Sequence, residues 1–390
     1  MNTFIDKLFG GRQGLIGFAL LAILLLLVIP LSLDTFRLNN VGKWLSYAFV
    51  AVGLVLCWGY GGILSLGQGV FWGLGGYCMA AFLKLEAAAA IAKESSDQSK
   101  ALTTLGIPDF MDWNQITVLP WFWEGFKSFP FTLLLIFAVP TIVAYIVGVA
   151  MFKRRVVGVY FSIITQALCW IMEILFVTRQ GWTGGINGIT DLRTLLGWDI
   201  RTQSAQVIIY FITAVAVLLT VCVGRLILSS KLGKMLVALR DMEDRVRFSG
   251  YDVANFKAFI FCIAAAMSAL GGALFVLNVG FMSPKLVTIE PSIYMVIFCA
   301  VGGRFSLIGA VWGTLIVSLG RTVFSENFPA LWYFLMGSVF IAVTMFFPEG
   351  LAGIVNKIIG RIFGDKARKL AIPPDPAAGS PASATAPAKA

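Results

Sequence analysis

Apolar runs of about 20 residues recur along most of this chain, and each is long enough to cross a bilayer. Hydrophobic residues make up 58% of the 390 residues and charged residues only 13%. A soluble domain usually carries about twice that charged fraction, so this sequence cannot cover a water-facing surface. Helices satisfy their own backbone hydrogen bonds within lipid. The predicted fold is therefore all-α, a polytopic membrane protein with about ten transmembrane helices.

The ten predicted membrane spans lie in one domain between two cytoplasmic ends, so the chain has three parts. A cytoplasmic N-terminus (1–14) precedes a transmembrane permease domain (15–355), and a cytoplasmic tail (356–390) follows. The tail is rich in Pro, Ala and Ser from about residue 373, which predicts disorder there. The first apolar run is too long for a cleavable signal peptide. The predicted spans are 15–33, 44–58, 62–83, 130–150, 157–177, 206–228, 258–280, 291–303, 306–324 and 332–347.

The distribution of positive charge predicts the orientation. Lys and Arg collect in cytoplasmic loops, and placing both termini in the cytoplasm puts most of the 30 Lys and Arg residues on that side. Segments 84–129 and 178–205 then become periplasmic loops, and 229–257 becomes a cytoplasmic loop. The net charge of +10 follows from this bias. No basic stripe with interleaved aromatics lies outside the apolar runs, so nucleic acid is not an expected partner.

The residue inventory argues against most catalytic and metal chemistry. The chain contains no histidine, which removes histidine-based metal sites, proton relays and catalytic triads. All six cysteines lie inside apolar runs without a CxxC pair, which indicates small core residues instead of disulfides or metal ligands. We therefore expect no catalytic residues and no metal site. The cysteines are Cys57, Cys78, Cys169, Cys222, Cys262 and Cys299.

The cytoplasmic loop 229–257 has the periodicity of an amphipathic helix. Ser230 suits the N-cap and Gly250 the C-cap, and the polar face carries charges of both signs. Such a helix can lie on lipid headgroups, brace the spans, or seat in a groove of a soluble partner; its acidic residues argue against simple adhesion to an anionic membrane. The predicted apolar face comprises Leu232, Met235, Leu236, Leu239, Met242 and Val246.

Polar side chains within the spans are candidates for lining a pathway, since unpaired polar groups are costly in lipid. The candidates are Ser65, Gln68, Gln166, Glu173 and Asn278. The amides can equally hold helices together, and Glu173 can reach water or pair with Arg179. We find no basic residue within the predicted spans clearly positioned to meet a carboxylate, which favours an uncharged solute.

The loop resembles the ATPase-contacting loop of permeases in the branched-chain amino acid ABC importer family. Four further stretches distributed through residues 40–355 support the same resemblance. The loop residues at the family's spacing are Gly233, Ala238, Arg240, Glu243, Gly250 and Lys257, and we add Asp241 and Arg245 as ATPase-coupling candidates. The other stretches are Leu64-Ser65-Leu66-Gly67-Gln68-Gly69, Gly75-Gly76-Tyr77, Thr183-Gly184-Gly185-Ile186-Asn187-Gly188 and Val301-Gly302-Gly303.

Within that family, residues 158–168, 244–251 and 299–304 resemble the urea-type branch. The resemblance implies a bacterial inner-membrane permease that moves urea by alternating access. It also implies a second homologous permease, two ATP-binding subunits and a periplasmic solute-binding protein. The chain has no G-x-x-x-x-G-K-[ST] phosphate loop. ATP and Mg are therefore expected on the partner subunits, and no cofactor on this chain.

Two other classes of function remain as alternatives. A gradient-driven transporter or channel needs a titratable or ion-binding cluster near mid-membrane, and only Glu173 comes near that depth. A membrane enzyme needs clustered carboxylates, histidines or a placed nucleophile, and the sequence has none. Among ABC importers, a branched-chain amino acid or a short-chain amide is the alternative solute.

Overall fold

The computed structural model describes residues 12–94, 106–156, 158–328 and, from 331 to 355, residues 331, 334, 337–339, 341, 342, 345 and 349–355. Its helices are α1 (Arg12–Ile23), α2 (Ile29–Ser32), α3 (Thr35–Leu54), α4 (Gln68–Glu94), α5 (Asp109–Trp113), α6 (Trp121–Glu124), α7 (Phe129–Lys153), α8 (Val159–Thr178), α9 (Gln180–Thr183), α10 (Gln203–Ser229), α11 (Lys231–Phe248), α12 (Val253–Val279), α13 (Ile289–Gly302) and α14 (Leu307–Asn327). Two strands, β1 (Thr194–Leu195) and β2 (Trp198–Asp199), pair antiparallel.

Eight helical segments among the described residues are long and apolar enough to cross a membrane. They correspond to predicted spans one, two and four to nine, which supports the polytopic all-α prediction. The second begins at Thr35, earlier than predicted, and continues through π-helical residues to Tyr60. Most of the predicted span 332–347, most of segment 1–14 and nearly the whole tail lie outside the described residues.

The predicted span 62–83 is wrong in its first part. Residues 61–67 form no helix, and α4 starts only at Gln68 and continues through the Ala tract to Glu94. Gly62 has a φ of +69°, a left-handed conformation that breaks the helix. Because a non-helical backbone at membrane depth needs partners, α8 supplies them. The Ser162 hydroxyl donates to the Leu64 carbonyl at 2.8 Å, and the Leu66 amide donates to Thr165 Oγ1 at 3.2 Å.

Helix α12 lies at the centre of the bundle and packs most extensively against α4, α7 and α3. Small residues permit this close packing: a Cβ at Gly272 would overlap the Trp72 carbonyl oxygen, and one at Gly75 would overlap that of Ala269. The Trp72 indole packs between the rings of Tyr47 and Phe275. All six cysteines are free, as predicted, and five of them are buried.

The outer end of α4 organises the predicted periplasmic loops. Buried Lys84 forms an ion pair with Asp109 at 2.9 Å and donates to the Thr190 carbonyl at 3.0 Å. The Glu86 carboxylate accepts from the amides of Leu196 and Gly197 in the β1–β2 turn. Residues 183–188 form the predicted glycine-rich turn, with Gly184, Gly185 and Gly188 all at positive φ.

An ion-pair cluster secures the same outer surface. The Asp191 carboxylate pairs with the guanidinium groups of Arg193 and Arg201. The hydrogen bond from Arg193, followed by that from Arg201, holds the pKa of Asp191 below its usual range. The two-residue strands between these arginines form the one β-sheet that we find in the described part of the chain. The hairpin that the strands form brings Arg201 back beside Arg193, so both arginines reach Asp191.

Candidate functional site: the coupling helix and the buried polar cluster

Helix α11 forms the predicted amphipathic segment and has the predicted ends. The Ser230 hydroxyl caps it by accepting from the Leu232 amide at 3.2 Å. Gly250 follows the C-cap at a φ of +86°, a conformation that glycine adopts without strain. Gly233 is required for a different reason, because a Cβ there would overlap the carbonyl oxygen of Leu228 at the end of α10. The turn from α10 into α11 therefore depends on a small residue.

The helix is not continuous, which corrects the predicted apolar face. Met242 has φ −146° and ψ 64°, so the segment consists of two helical arms joined by a break. Leu236 and Leu239 on the first arm are buried, whereas Met242 is 52% exposed. Periodicity placed Met242 on the buried face because it assumes an unbroken helix. The two arms can thus contact different parts of the bundle.

Arg240 attaches the first arm to two turns, one after α3 and one after α13. Its guanidinium donates to the Gly59 carbonyl at 3.1 Å and lies over the Phe305 ring at 5.2 Å from the centroid. Asp241 accepts from Arg240 Nε at 2.8 Å and orients it. The two turns are themselves joined, since the Tyr60 hydroxyl donates to the Phe305 carbonyl at 2.9 Å. Arg240 therefore links α11 to the end of the α3 span and to the α13–α14 connection.

Glu243 attaches the second arm to the central helix. Its carboxylate pairs with Lys257 of α12 at 2.5 Å and with Arg247 at 2.8 Å. The Lys257 side chain is only 8% exposed, so Glu243 provides the counter-charge that its burial requires. Arg240 and Glu243 lie on opposite sides of the break at Met242. Each arm consequently has one charged attachment to the membrane-spanning bundle.

A groove of about 280 Å³ opens along α11 around the break. Met235, Ala238 and Met242 give it apolar walls, and Asp241 and Arg245 place opposite charges at its edge. An apolar groove with charged edges suits a protein partner, because the charges fix register and specificity. The structure thus brings all eight predicted coupling residues onto α11 or its immediate attachments.

A second group of predicted residues lies within the bundle. Ser65 is fully buried in the non-helical segment before α4. Gln68 begins α4, and its Oε1 accepts from Ser268 Oγ of α12 at 3.2 Å. The Gln68 Nε2 has no hydrogen-bond partner within the described part of the chain. A carboxamide donor buried among neutral hydroxyls can hydrogen-bond a neutral polar solute.

Several hydroxyl and thiol groups near Gln68 were not among the predicted pathway residues. Ser292 of α13 lies 3.4 Å from the Cys169 sulfur of α8, and Gly69 packs directly against Ser292. Thr165 and Ser162 complete the lining of α8 toward the non-helical segment. The spacing of residues 162, 165 and 169 places them on one helical face, and this pattern could have predicted a polar lining on α8. We call the set Ser65, Gln68, Thr165, Cys169, Ser268 and Ser292 the buried polar cluster.

The other pathway candidates lie elsewhere. Asn278 donates to Thr213 Oγ1 at 3.0 Å and to the Leu274 carbonyl at 2.8 Å, which joins α12 to α10. Gln166 and Glu173 are half-buried on α8. Glu173 makes no ion pair with Arg179, whose guanidinium lies over the Trp182 ring. The structure therefore brings Ser65 and Gln68 together, but not Gln166, Glu173 and Asn278 with them.

Two cations in the outer half of the bundle also escaped the sequence analysis. Lys43 of α3 lies near Arg321 of α14, close enough for their charges to repel. The Arg321 guanidinium lies 4.6 Å from the centroid of the Tyr294 ring, and the Tyr294 hydroxyl donates to Glu290 at 2.9 Å. The predicted second span began after Lys43, and nothing in the sequence brings Lys43 to Arg321. The expectation that no basic residue is placed to meet a carboxylate stays a prediction.

Comparisons with known proteins agree with this architecture. Residues 37–344 match the family described as branched-chain amino acid transport system / permease component. The chain is 26% identical over 229 residues to the high-affinity branched-chain amino acid transport system permease protein LivM of Escherichia coli K12, covering 53% of each protein. The Salmonella typhimurium LT2 protein of that name matches equally.

The chain spans about half the length of these curated relatives. No solved structure matches it. The family match nevertheless covers most of the chain, including every predicted coupling and pathway residue. The chain belongs to the branched-chain amino acid transport permease family, as a multi-pass inner-membrane protein.

Proposed function

We propose that this chain is a permease subunit of an ATP-binding-cassette importer that moves urea across the inner membrane by alternating access. Its proposed partners are a second homologous permease, two ATP-binding subunits and a periplasmic solute-binding protein. ATP and Mg belong to the ATP-binding subunits in this scheme. The two-armed attachment of α11 to the bundle is the observation that carries the proposal.

The attachments give a physical route for force. A soluble partner that seats in the groove around Met242 and moves α11 pulls on Gly59 and Phe305 through Arg240. The same movement pulls on α12 through Glu243 and Lys257. Because α12 is central in the bundle, its displacement changes the packing of α3, α4 and α7 together. A break between the arms allows the two attachments to respond separately.

The buried polar cluster supports a neutral solute. Its described members carry hydroxyl, thiol and carboxamide groups and no formal charge. Urea is small, planar and uncharged, with both donors and acceptors, and it can exchange hydrogen bonds with Gln68 and Ser268 without a counter-ion. In the proposed cycle, this cluster becomes accessible from one side at a time.

The first test separates coupling from assembly. Arg240→Ala combined with Glu243→Ala in the purified complex should abolish solute-stimulated ATPase activity while the subunits still copurify. The matched control is Glu124→Ala with Lys127→Ala, which removes an exposed ion pair on the outer loop and should leave stimulation unchanged. Normal stimulation in the Arg240/Glu243 variant would exclude the coupling role.

Branched-chain amino acids are the second candidate solute. The names of the relatives and the proximity of Lys43 to Arg321 favour them, since paired cations suit a carboxylate. Uptake of labelled urea and labelled leucine in a strain lacking the chromosomal gene distinguishes the two. We expect urea uptake that is sensitive to Gln68→Leu and insensitive to Arg321→Gln. Leucine uptake that Arg321→Gln abolishes would replace urea with an amino acid.

A further inference from the structure

A second cytoplasmic cavity of about 280 Å³ lies between the end of α7, the second arm of α11 and the start of α12. Four cationic side chains line it: Lys153, Arg155, Arg247 and Lys257. The acidic lining residues are Glu243 and Asp252. This cationic cavity is separate from the groove around Met242, and the proposed transport cycle makes no use of Lys153 or Arg155.

The acidic groups of the cavity are already engaged. Glu243 is shared between Lys257 and Arg247. The Asp252 carboxylate caps α12 by accepting hydrogen bonds from the backbone amide of Asn255 at 3.2 Å and from the Asn255 side-chain amide at 2.7 Å. Lys153 and Arg155 are exposed and form no ion pair within the described part of the chain. Two positive charges therefore face the cavity without a counter-charge from its walls.

Arg155 occupies a backbone position that glycine normally fills. It follows the C-cap of α7 at a φ of +58°, and its amide donates to the Phe152 carbonyl at 3.1 Å. A non-glycine residue in this left-handed position is strained. The sequence instead places a long cation there, with its side chain on the cavity.

The start of α12 borders the cavity through Val253 and Ala254, the first residues after the N-cap. The Asp252 carboxylate already caps this helix end, so the four cationic side chains supply the positive charge of the cavity. Lys153 is the last residue of a membrane-spanning helix, so the cavity lies at the level where lipid phosphates meet the cytoplasm.

We propose that this cationic cavity binds the phosphate of an anionic phospholipid from the cytoplasmic leaflet. The bound headgroup contacts Lys153 and Arg155 and lies beside the Glu243–Lys257 pair. It thereby holds the second arm of α11 against α7 and α12. The regulatory consequence, which rests on the proposed function, is that coupling of ATP hydrolysis to transport depends on anionic lipid.

Lipid retention tests the site without relying on transport. The full complex is extracted into nanodiscs of phosphatidylcholine with or without phosphatidylglycerol, and retained lipid is measured by native mass spectrometry. Lys153→Gln and Arg155→Gly should each reduce phosphatidylglycerol retention about fivefold. Arg155→Gly also relieves the backbone strain, so lost retention with unchanged or higher thermal stability separates binding from folding. Arg154→Gln removes an adjacent exposed charge that does not line the cavity and should retain lipid normally.

Two results would overturn the proposal. Equal retention in the wild type and both cavity variants would show that the cations do not hold lipid. Millimolar glycerol 3-phosphate could displace the retained lipid and bind with the same affinity in nanodiscs of phosphatidylcholine alone. That result would identify a site for soluble phosphate compounds instead. The Arg240/Glu243 variant could keep normal ATPase stimulation while the wild-type complex still prefers phosphatidylglycerol. That result would remove the proposed function and leave the lipid site standing.

Discussion

Gly272 lies where α12 presses against α4, and its Cα faces the carbonyl oxygen of Trp72. Glycine is needed there because of another helix's backbone, and not because of any unusual φ of its own. Gly320 on α14 has no atom within 4 Å of the position of a Cβ. Both glycines therefore lie within helices, but only Gly272 is packed closely against another helix.

We predict that Gly272→Ala destabilises the protein and that Gly320→Ala does not. The added methyl at position 272 forces the backbones of α12 and α4 apart, which costs about 1–3 kcal/mol. At position 320 the methyl enters open space and improves helix propensity. Thermal unfolding of the two variants in the same detergent checks the difference. Similar transition temperatures for the two would contradict the packing described for α12.

A second residue-scale prediction concerns pH at the outer surface. The pKa of Asp191 is lowered in the folded protein, so its ion pairs contribute stability above the ordinary pKa of an aspartate. That contribution is lost as the pH falls through the lowered pKa. The protection factors of residues 189–201, which are exchange rates corrected for the intrinsic pH dependence of amide exchange, should therefore fall on acidification below about pH 4. Asp191→Asn should show low protection factors already at neutral pH and little further change.

At the scale of elements, the break at Met242 determines how α11 is used. One uninterrupted helix would present a single rigid edge to the bundle. The two arms instead attach through Arg240 to the turns after α3 and α13 and through Glu243 to α12. The non-helical segment before α4 is a parallel case, since it depends on hydroxyls of α8 for its backbone hydrogen bonds.

The Glu243–Lys257 pair permits a double-mutant cycle between α11 and α12. Glu243→Gln leaves Lys257 buried with reduced compensation, which should cost about 3–5 kcal/mol of stability. Lys257→Met should cost less, because Glu243 keeps Arg247. The double variant should recover part of the loss, and thermal stability of the four proteins measures the coupling. Additive effects would show that the pair does not join the two helices.

At the scale of the whole molecule, the fold places the two charged attachments and the outer ion pairs at opposite ends of the bundle. The cytoplasmic assignment of α11 can be tested by labelling. Phe248 is 92% exposed at the end of α11, and Val118 is 76% exposed in the predicted periplasmic loop. We predict that a membrane-impermeant maleimide labels Val118→Cys in intact cells and Phe248→Cys only in inverted vesicles. A cysteine-free parent protein serves as the control, and the reverse pattern would invert the topology.

The sequence by itself determined the membrane environment, the order of the long helices and the amphipathic α11 with its caps. These properties are local: apolar length, periodicity and the conformational preferences of Ser230 and Gly250 act within a few turns of one helix. It also indicated the family, because the motif residues keep their spacing along the chain.

Only the tertiary structure decided the break at Met242, the link from Arg240 to Gly59 and Phe305, and the proximity of Lys43 to Arg321. It also placed Asn278 in a helix contact and separated it from the buried polar cluster. Apart from the local break at Met242, each of these depends on residues far apart in sequence that packing brings within hydrogen-bonding or electrostatic range. Periodicity records which face of a helix is apolar, but it carries no information about which partner lies against that face.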